Sequence, residues 1–386
     1  MNVLIITHTG ETLGHLIRGL AIADELKIHG AKVEFAVSMN KARWLLNSRK
    51  PTYEYHDLNW QFSHNSCDKY KPPFSFLERV IETNFGIKEI IQKVSPDIIL
   101  SMPGIVTTQI AKSFGIPHIA IMHGPYLSPI VNLNNPTSVE SSILDFTKQV
   151  FYGGCVDKIF LYLSNKLNLP KLTYEEFLHT ENIIVPQPGL PLPNLPNIHQ
   201  VNFISASIGK EYIFNDINLK DACYITFGSG NPVDFSRIVQ LTCEVFPSVI
   251  INTGFIEIKN ISEQVISKPF ISNSSLAGQI ALVISHGGIG TVGTFAEYKT
   301  SQIIIPTEVD QATMAIHAYR LGIANHCGLE SKVKNLRLGR SLPSFTDEEF
   351  MNLLKNYKDQ SMNIKKIEST GAKDIASLII NKIIKF

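Results

Sequence analysis

The segment best suited to chemistry is ISHGGIGTVGTF, at residues 284–295, which continues the apolar run IALVI. Its four glycines have no Cβ, so backbone N–H groups there can approach an anion closely. A helix predicted from Thr291 adds about half a positive charge at its N-terminus. His286 and Thr291 can donate to the same oxygens. The pattern predicts a phosphate-binding loop; a glycine-rich turn that needs positive φ is the structural alternative.

A second polar pair stands in IIIPTEVDQATMA, where Pro306 ends a predicted strand and Asp310 and Gln311 open the next helix. A carboxylate accepts hydrogen bonds and an amide both donates and accepts, so the pair suits the vicinal hydroxyls of a sugar. A simple N-cap role for Asp310 is the common alternative. The distance in sequence between this pair and the phosphate-binding loop favours the sugar interpretation.

The elements that position these residues alternate in a β-α-β rhythm. In the first half, NVLII, PDIILS and PHIAIM alternate with helical segments, and CYITFGSG opens a second such series after the proline-rich VPQPGLPLPNLPN. Continuous apolar strands predict parallel sheets that are covered on both faces. The fold class is therefore α/β, with two doubly wound halves and a ligand site expected in the crevice between them.

Composition excludes several classes of protein. A net charge of +1 gives no reason to expect a nucleic-acid partner. Five scattered cysteines without a CxxC pair argue against disulfides and zinc and favour a reducing, cytoplasmic location. The N-terminus does not read as a signal peptide, and no transmembrane segment is expected. The apolar, lysine-bearing C-terminal helix is expected to pack on its own protein, with weak peripheral membrane contact as the alternative.

The segment HGGIGTVGTFAEYKTSQIIIPTEVDQ resembles the donor-site signature of UDP-glycosyltransferases of the GT-B fold, and CYITFGSG, GHLIRGLAIADEL and GIPHIAI resemble other parts of that family. The resemblance implies two Rossmann-like domains that face a central cleft. Residues 1–210 would bind the acceptor and residues 211–365 the nucleotide-sugar donor. A C-terminal helix within 366–386 would return to the first domain.

The resemblance also implies roles for individual residues. His15 would be the general base that takes a proton from the acceptor hydroxyl as it attacks the anomeric carbon, with inversion; a helix-start histidine is the structural alternative. No metal and no cofactor are expected, and the co-substrate is a nucleotide sugar, with UDP the first choice and dTDP or GDP the alternatives. The implied donor-binding residues are Gly14, Gly228, Ser229, Phe270, Ile271, His286, Gly287, Gly288, Ile289, Gly290, Thr291, Asp310 and Gln311.

Three positions depart from the family pattern. Thr294 stands where many members have a glutamate that contacts the ribose hydroxyls, which makes the nucleotide less certain. Met102 occupies the place of the aspartate that orients the catalytic histidine. Arg18 replaces a proline of the Gly-His loop.

The acceptor is predicted only by class, and two other functions stay open. Trp60, Phe62, His123 and Tyr126 lie in long loops of the first half and suggest an apolar or aromatic small molecule, although they could equally pack the loops. A nucleotide-sugar 2-epimerase of the same fold is one alternative function. A catalytically silent, glycosyltransferase-like binding or activating subunit is the other. The sequence predicts no oligomeric state.

Overall fold

The computed structural model describes residues 1–8, 13–38, 53–55, 74–127, 134–152, 155–192, 194–206, 211–228, 233–254, 262–334, 342–361 and 364–381. They form two compact units. The first unit contains residues 1–135, 144–202 and 370–386, and the second contains 136–143 and 203–369. The chain passes to the second unit after residue 202, earlier than the predicted 210, and returns at residue 370 rather than 366.

The first unit is built on a seven-stranded sheet in the order β3-β2-β1-β4-β5-β6-β7, and every pairing is parallel. Its strands are β1 Asn2–Thr7, β2 Lys32–Ser38, β3 Tyr53–Tyr55, β4 Ile98–Met102, β5 His118–Ile121, β6 Asn182–Val185 and β7 Ile198–Gln200. Apolar side chains on the central strands are fully buried, as the continuous apolar runs predict.

Helices cover both sheets. In chain order they are α1 Gly14–Ile28, α2 Phe74–Val94, α3 Ile105–Ser113, α4 Ser138–Tyr152, α5 Cys155–Leu167, α6 Tyr174–Thr180, α7 Ser236–Cys243, α8 Asn273–Leu276, α9 Ile289–Glu297, α10 Val309–Arg320, α11 Leu329–Lys334, α12 Asp347–Lys355, α13 Tyr357–Ser361 and α14 Gly371–Ile380. The last helix, α14, packs against α1 within the first unit.

The first helix lies very close to the sheet. A Cβ atom on Gly19 would be 2.9 Å from Thr7 Cγ2 and 3.1 Å from Met102 Cε, so only glycine fits at this crossing. The carboxyl ends of β1, β4 and β5 share one edge of the parallel sheet. That edge collects His8 after β1 and His123 after β5, next to His15 in the first turn of α1.

The second unit contains a six-stranded sheet in the order β10-β9-β8-β11-β12-β13, again parallel throughout. Its strands are β8 Ala222–Thr226, β9 Ser248–Asn252, β10 Val265–Lys268, β11 Leu282–Ser285, β12 Ser301–Ile304 and β13 Asn325–His326. Strand order reverses between β8 and β11, where Thr226 pairs with Ser285. The loops that follow these two strands therefore lie side by side, at the position where doubly wound sheets bind ligands.

Candidate functional site

In the second unit, the loops after β8 and β11 hold the imidazole ring of His286 between two glycines. A Cβ atom would lie 2.9 Å from His286 Cε1 if placed on Gly228, and 2.9 Å from His286 Nε2 if placed on Gly288. Gly228 has φ +80° and Gly287 has φ +92°, conformations that side chains rarely adopt. The signature glycines thus make room for the half-buried His286 and set its position.

Helix α9 begins directly after this loop. Its N-cap is Gly288, which has no side chain to cap the first turn, so the N–H groups of Ile289, Gly290 and Thr291 are not capped by it. Among the described residues, a Cβ on Gly290 would meet no atom nearer than 3.9 Å, so packing against them does not require glycine there. This N-terminus has the open approach and the positive dipole end that an anion needs.

A relay of hydrogen bonds links Phe270 to this helix. The Phe270 N–H donates to Asn252 Oδ1 (2.9 Å), and Asn252 Nδ2 donates to the Tyr224 hydroxyl (3.2 Å). The Tyr224 hydroxyl donates to Asn273 Oδ1 (3.0 Å), and Asn273 Nδ2 donates to Thr291 Oγ1 (3.2 Å). Because its oxygen accepts from Asn273, the Thr291 hydroxyl can direct its hydrogen to another acceptor.

The relay joins two regions that are far apart in sequence. Phe270, at φ +55°, and the buried Ile271 follow β10, whereas Thr291 lies in the predicted phosphate-binding loop; all three are among the implied donor-binding residues. Burial raises the pKa of Tyr224, so its hydroxyl keeps the hydrogen that the relay requires. Asn252, Tyr224 and Asn273 are functional candidates that were not predicted from the sequence; the available signal was Asn252 at the end of β9 and Asn273 at the start of α8, whereas Tyr224 lies in the middle of β8.

Asp310 and Gln311 lie in the first turn of α10, and Gln311 takes part in the capping of this helix. The N-cap is Glu308 rather than Asp310, and it forms a capping box with Gln311. Gln311 Oε1 accepts from Thr307 N (2.8 Å), Thr307 Oγ1 (2.8 Å) and Glu308 N (3.1 Å). These contacts occupy the oxygen of Gln311, whereas its Nε2 donates, among the described residues, only to Glu308 Oε2 at 3.4 Å, so a sugar-binding role of Gln311 through its Nε2 stays a prediction. Asp310 is half-buried in the first turn, and its sugar-binding role stays a prediction.

Thr294, at the position of the ribose-contacting glutamate in the resembled family, faces the interior of the second unit. It is buried, and its hydroxyl donates to the Gly290 carbonyl inside α9 (2.7 Å). This position therefore offers no carboxylate to a ribose.

In the first unit, His15 accepts a hydrogen bond from the residue one turn further along α1. Arg18 Nη2 lies 2.9 Å from His15 Nδ1, and the Arg18 side chain is buried whereas His15 is half-buried. Burial, followed by the charge of Arg18 and by His123 and His8, lowers the pKa of His15 well below 6.5. Burial and Arg18 lower the pKa of His123 to about 3. Both rings are therefore neutral at ordinary pH.

His8, by contrast, belongs to the core. Its Nε2 lies 3.2 Å from Thr107 Oγ1 and its Nδ1 lies 3.2 Å from the Tyr55 hydroxyl, which donates to the Thr7 carbonyl. A histidine held at both nitrogens and 1% exposed is a structural residue. Met102, at the place of the expected aspartate, is fully buried and supplies no carboxylate to this edge of the sheet.

A second cluster in the first unit has the residue types of a hydrolase triad. Ser101 Oγ lies 2.7 Å from His118 Nε2, and His118 Nδ1 lies 3.0 Å from Glu181 Oε2. Burial alone would raise the pKa of Glu181, but hydrogen bonds and charges from His118 and Lys112 lower it. Ser101, His118 and Glu181 are each at most 5% exposed, so no substrate reaches them and the cluster is structural.

Several predicted site residues lie outside the described residues. They are Ser229, Trp60 and Phe62, together with the side chain of Tyr126. Within the described ranges, no three histidine, cysteine, aspartate or glutamate residues are grouped as metal ligands. No helix in that part of the chain is long and apolar enough to span a membrane.

Comparison with known proteins identifies the fold. Residues 241–379 match the model of the glycosyltransferase family 28 C-terminal domain. Spinosyn rhamnosyltransferase SpnG, complexed with thymidine diphosphate, aligns over 99% of this chain and 100% of its own, with a TM-score of 0.66 and 13% identity. Spinosyn forosaminyltransferase SpnP aligns over 99% and 98%, with a TM-score of 0.65 and 15% identity. A search of curated protein sequences finds no match.

A third solved structure, the Streptomyces sp. SF2575 glycosyltransferase SsfS6 complexed with thymidine diphosphate, aligns over 99% of both chains, with a TM-score of 0.61 and 16% identity. The chain therefore has the GT-B fold, with two parallel-sheet α/β domains, and the resemblance to GT-B glycosyltransferases is confirmed. Most of the segment that matches the family 28 C-terminal domain model lies in the second unit, and together these findings support a glycosyltransferase enzyme.

Proposed function

We propose that the protein transfers a sugar from a nucleotide diphosphate to a hydroxyl of a small molecule, with inversion at the anomeric carbon. The observation that carries this proposal is the anion site of the second unit. There His286 is fixed between Gly228 and Gly288 at the uncapped start of α9. A glycine loop that positions a donor histidine beside a helix N-terminus suits a diphosphate.

The reaction needs stabilisation of the leaving group above all. As the bond between the anomeric carbon and the β-phosphate oxygen breaks, negative charge collects on the nucleotide diphosphate. The α9 N-terminus, His286 and the Thr291 hydroxyl are oriented before the reaction begins, which is the condition for effective electrostatic stabilisation. On this basis the transfer needs no metal, and direct attack by the acceptor inverts the anomeric centre.

For the nucleotide we propose thymidine diphosphate in place of the UDP that was the first choice from sequence. Thr294 is buried and bonded to Gly290, so no carboxylate from this position contacts a ribose. A deoxyribose lacks the 2′-hydroxyl that such a carboxylate would bind. The complexes of SpnG and SsfS6 contain thymidine diphosphate, which supports the same choice.

On the acceptor side, His15 is the residue expected to contact the reacting hydroxyl. Replacing it with alanine is expected to lower the rate by about a hundredfold or more while the donor still binds, because only the acceptor oxygen loses a partner. Which ring nitrogen of His15 faces the acceptor, and whether it bears a hydrogen, decides whether His15 removes a proton or donates a hydrogen bond.

The first test is calorimetric binding of thymidine diphosphate and UDP to the wild-type protein, to His286→Ala and to His179→Ala. His179 is an exposed histidine of the first unit and serves as the matched control. Loss of a charge-assisted hydrogen bond is expected to weaken binding to His286→Ala by about ten- to a hundredfold. Absence of binding to the wild type would refute the anion site, and tighter binding of UDP would refute the choice of nucleotide.

A second assay follows nucleotide release from thymidine diphosphate and UDP sugars, with and without small-molecule acceptors. Slow release without an acceptor and faster release with one is the result expected of a transferase. Release accompanied by inversion at C2 of the recovered sugar would indicate the epimerase. Tight binding without any release would indicate the silent subunit.

A further inference from the structure

The peptide unit between Pro269 and Phe270 is held by hydrogen bonds at both ends. At one end the Tyr212 hydroxyl donates to the Pro269 carbonyl (2.9 Å). At the other end the Phe270 N–H donates to Asn252 Oδ1 (2.9 Å). A peptide unit is planar and nearly rigid, so these two bonds fix the orientation of the whole plane. The ring of Pro269 also restricts the backbone on the preceding side.

This peptide precedes a backbone conformation that a phenylalanine rarely adopts. Phe270 has φ +55°, in the left-handed region that favours glycine. A residue with a side chain keeps such a conformation only where its surroundings require it, and residues of this kind cluster at ligand sites. The side chain of Ile271, the next residue, is buried in one core cluster with Tyr224 and Leu276. This packing and the two hydrogen bonds together hold Phe270 in the left-handed region.

Asn252 links this segment to the anion site. Its Oδ1 also accepts from Gly254 N (3.3 Å), and its Nδ2 donates to Tyr224, from which the relay continues to Thr291. A backbone N–H can only donate, so the oxygen of the Asn252 amide must face Phe270 N. The orientation of the amide, and with it the direction of the relay, is thereby defined.

The position of Phe270 in the sheet suits the base of a nucleotide whose diphosphate binds at α9. Phe270 follows β10, which lies three strands from β11 in the order β10-β9-β8-β11. All of these strands are parallel, so their carboxyl ends share one edge of the sheet. Three strand spacings are roughly 14 Å, a distance that an extended nucleoside diphosphate can span.

We propose that Tyr212 and Asn252 are positioning residues that hold the backbone of Phe270 and Ile271 for contact with the base of the bound nucleotide. This inference rests on the proposed function for its ligand, whereas the hydrogen bonds around residues 269 and 270 do not depend on it. Both residues act through the peptide between Pro269 and Phe270. Their loss is therefore expected to affect the binding of a ligand that bears a base more than the binding of its diphosphate alone.

The held peptide can be tested without any ligand. In protein labelled with ¹⁵N-phenylalanine, the Phe270 amide, assigned with Phe270→Leu, is expected to exchange slowly with solvent. In Asn252→Ala it should exchange about tenfold faster or more, because its acceptor is removed, whereas Asn252→Asp keeps an acceptor and should keep the protection. Fast exchange in the wild type, or unchanged exchange in Asn252→Ala, would overturn the proposal whatever the protein binds.

The role in base binding is tested by calorimetric titration with thymidine diphosphate and with pyrophosphate, which has no base. The wild type is expected to prefer thymidine diphosphate. Asn252→Ala should reduce this preference by about tenfold and Tyr212→Phe by about fivefold, because the segment is no longer held. In Asn252→Asp the added charge weakens both ligands, and the preference should remain. Tyr298→Phe removes an exposed tyrosine hydroxyl from the same unit and should change neither affinity.

The outcomes separate this inference from the proposed function. Variants that are less stable but keep the full preference would show a merely structural role and overturn the proposal. Equal affinity of the wild type for the two ligands would also overturn it, while the diphosphate site would stand. Binding of neither ligand to the wild type would refute the proposed donor site, and the base-binding role with it.

Discussion

The relay through Asn273 gives the most specific prediction about the donor site. Of two substitutions at this residue, one should mainly lower the stability of the protein and the other should mainly weaken nucleotide binding. Asn273 accepts from the buried Tyr224 hydroxyl through Oδ1 and donates to Thr291 through Nδ2. Alanine removes both functions. Aspartate keeps the acceptor for Tyr224 but removes the donor to Thr291.

The magnitudes follow from what each partner loses. In Asn273→Ala the Tyr224 hydroxyl loses its acceptor in a buried site, which should lower the free energy of unfolding by about 1–3 kcal/mol. The Thr291 hydroxyl loses its orientation, which should weaken thymidine diphosphate binding by about 1 kcal/mol, or about fivefold. In Asn273→Asp the unfolding free energy should stay close to that of the wild type. Binding should weaken by about tenfold or more, because the carboxylate accepts the Thr291 hydrogen and repels the diphosphate.

The assay pairs urea unfolding with calorimetric titration of thymidine diphosphate for both variants. Gln279→Ala removes an exposed amide near α8 and controls for the general effect of losing such a group. Wild-type affinity in Asn273→Asp, with the protein folded, would refute the idea that the relay directs the Thr291 hydroxyl to a phosphate.

Three further predictions concern the second unit, two of them its stability and one its nucleotide binding. Glu140 accepts two 2.7 Å hydrogen bonds from Arg320, which, together with a bond from a backbone amide, lower its pKa from 4.5 to about 2. The ion pair therefore contributes its full share to the free energy of unfolding above the ordinary pKa of Glu140, and this share is lost as pH falls. Arg320→Met should lower the free energy of unfolding in urea by about 1 kcal/mol at pH 7, since the pair is partly exposed, and this difference from the wild type should disappear toward pH 2. A Cβ on Gly293 would lie 2.5 Å from Phe203 Cβ, so Gly293→Ala should cost about 1–3 kcal/mol in thermal unfolding. Gly290→Ala should not destabilise but should weaken nucleotide binding, and equal stability of the two glycine variants would contradict the packing argument.

Local patterns predicted the fold and the glycine-rich loop that precedes α9. Gly287 and Gly288 directly follow His286 in the sequence, whereas Gly228, which also contacts the ring, follows another strand. The absence of a Cβ, on which these close approaches depend, is visible in the sequence. The apolar strands indicated parallel sheets because burial on both faces leaves no polar alternation. The capping box between Glu308 and Gln311 was also visible, since the two residues are three apart, but the sugar interpretation of Gln311 took precedence over it.

The relay and the Arg18 contact could not be predicted in the same way. Tyr224, Asn252 and Asn273 come from three separate segments, and an asparagine or a tyrosine near a strand end has many common roles. Arg18 was visible as a departure from the family pattern, but the sequence does not show where a long side chain directs its guanidinium. The contact between Arg18 Nη2 and His15 Nδ1 depends on that direction.

In the first unit, the hydrogen-bond partners of two histidines, His118 and His15, do not match what the exposure of each ring suggests about its role. His118 has a serine at Nε2 and a carboxylate at Nδ1, the partners of a catalytic base, yet it is 5% exposed and nothing can reach it. His15 lies at the edge of the sheet where a ligand can approach, yet its Nδ1 accepts from a guanidinium. Partners without access make a structural network, so His118 is structural although its partners are those of a catalytic base. For this chain, the residue types around a histidine do not by themselves indicate catalysis, and the exposure of the ring has to be considered together with them.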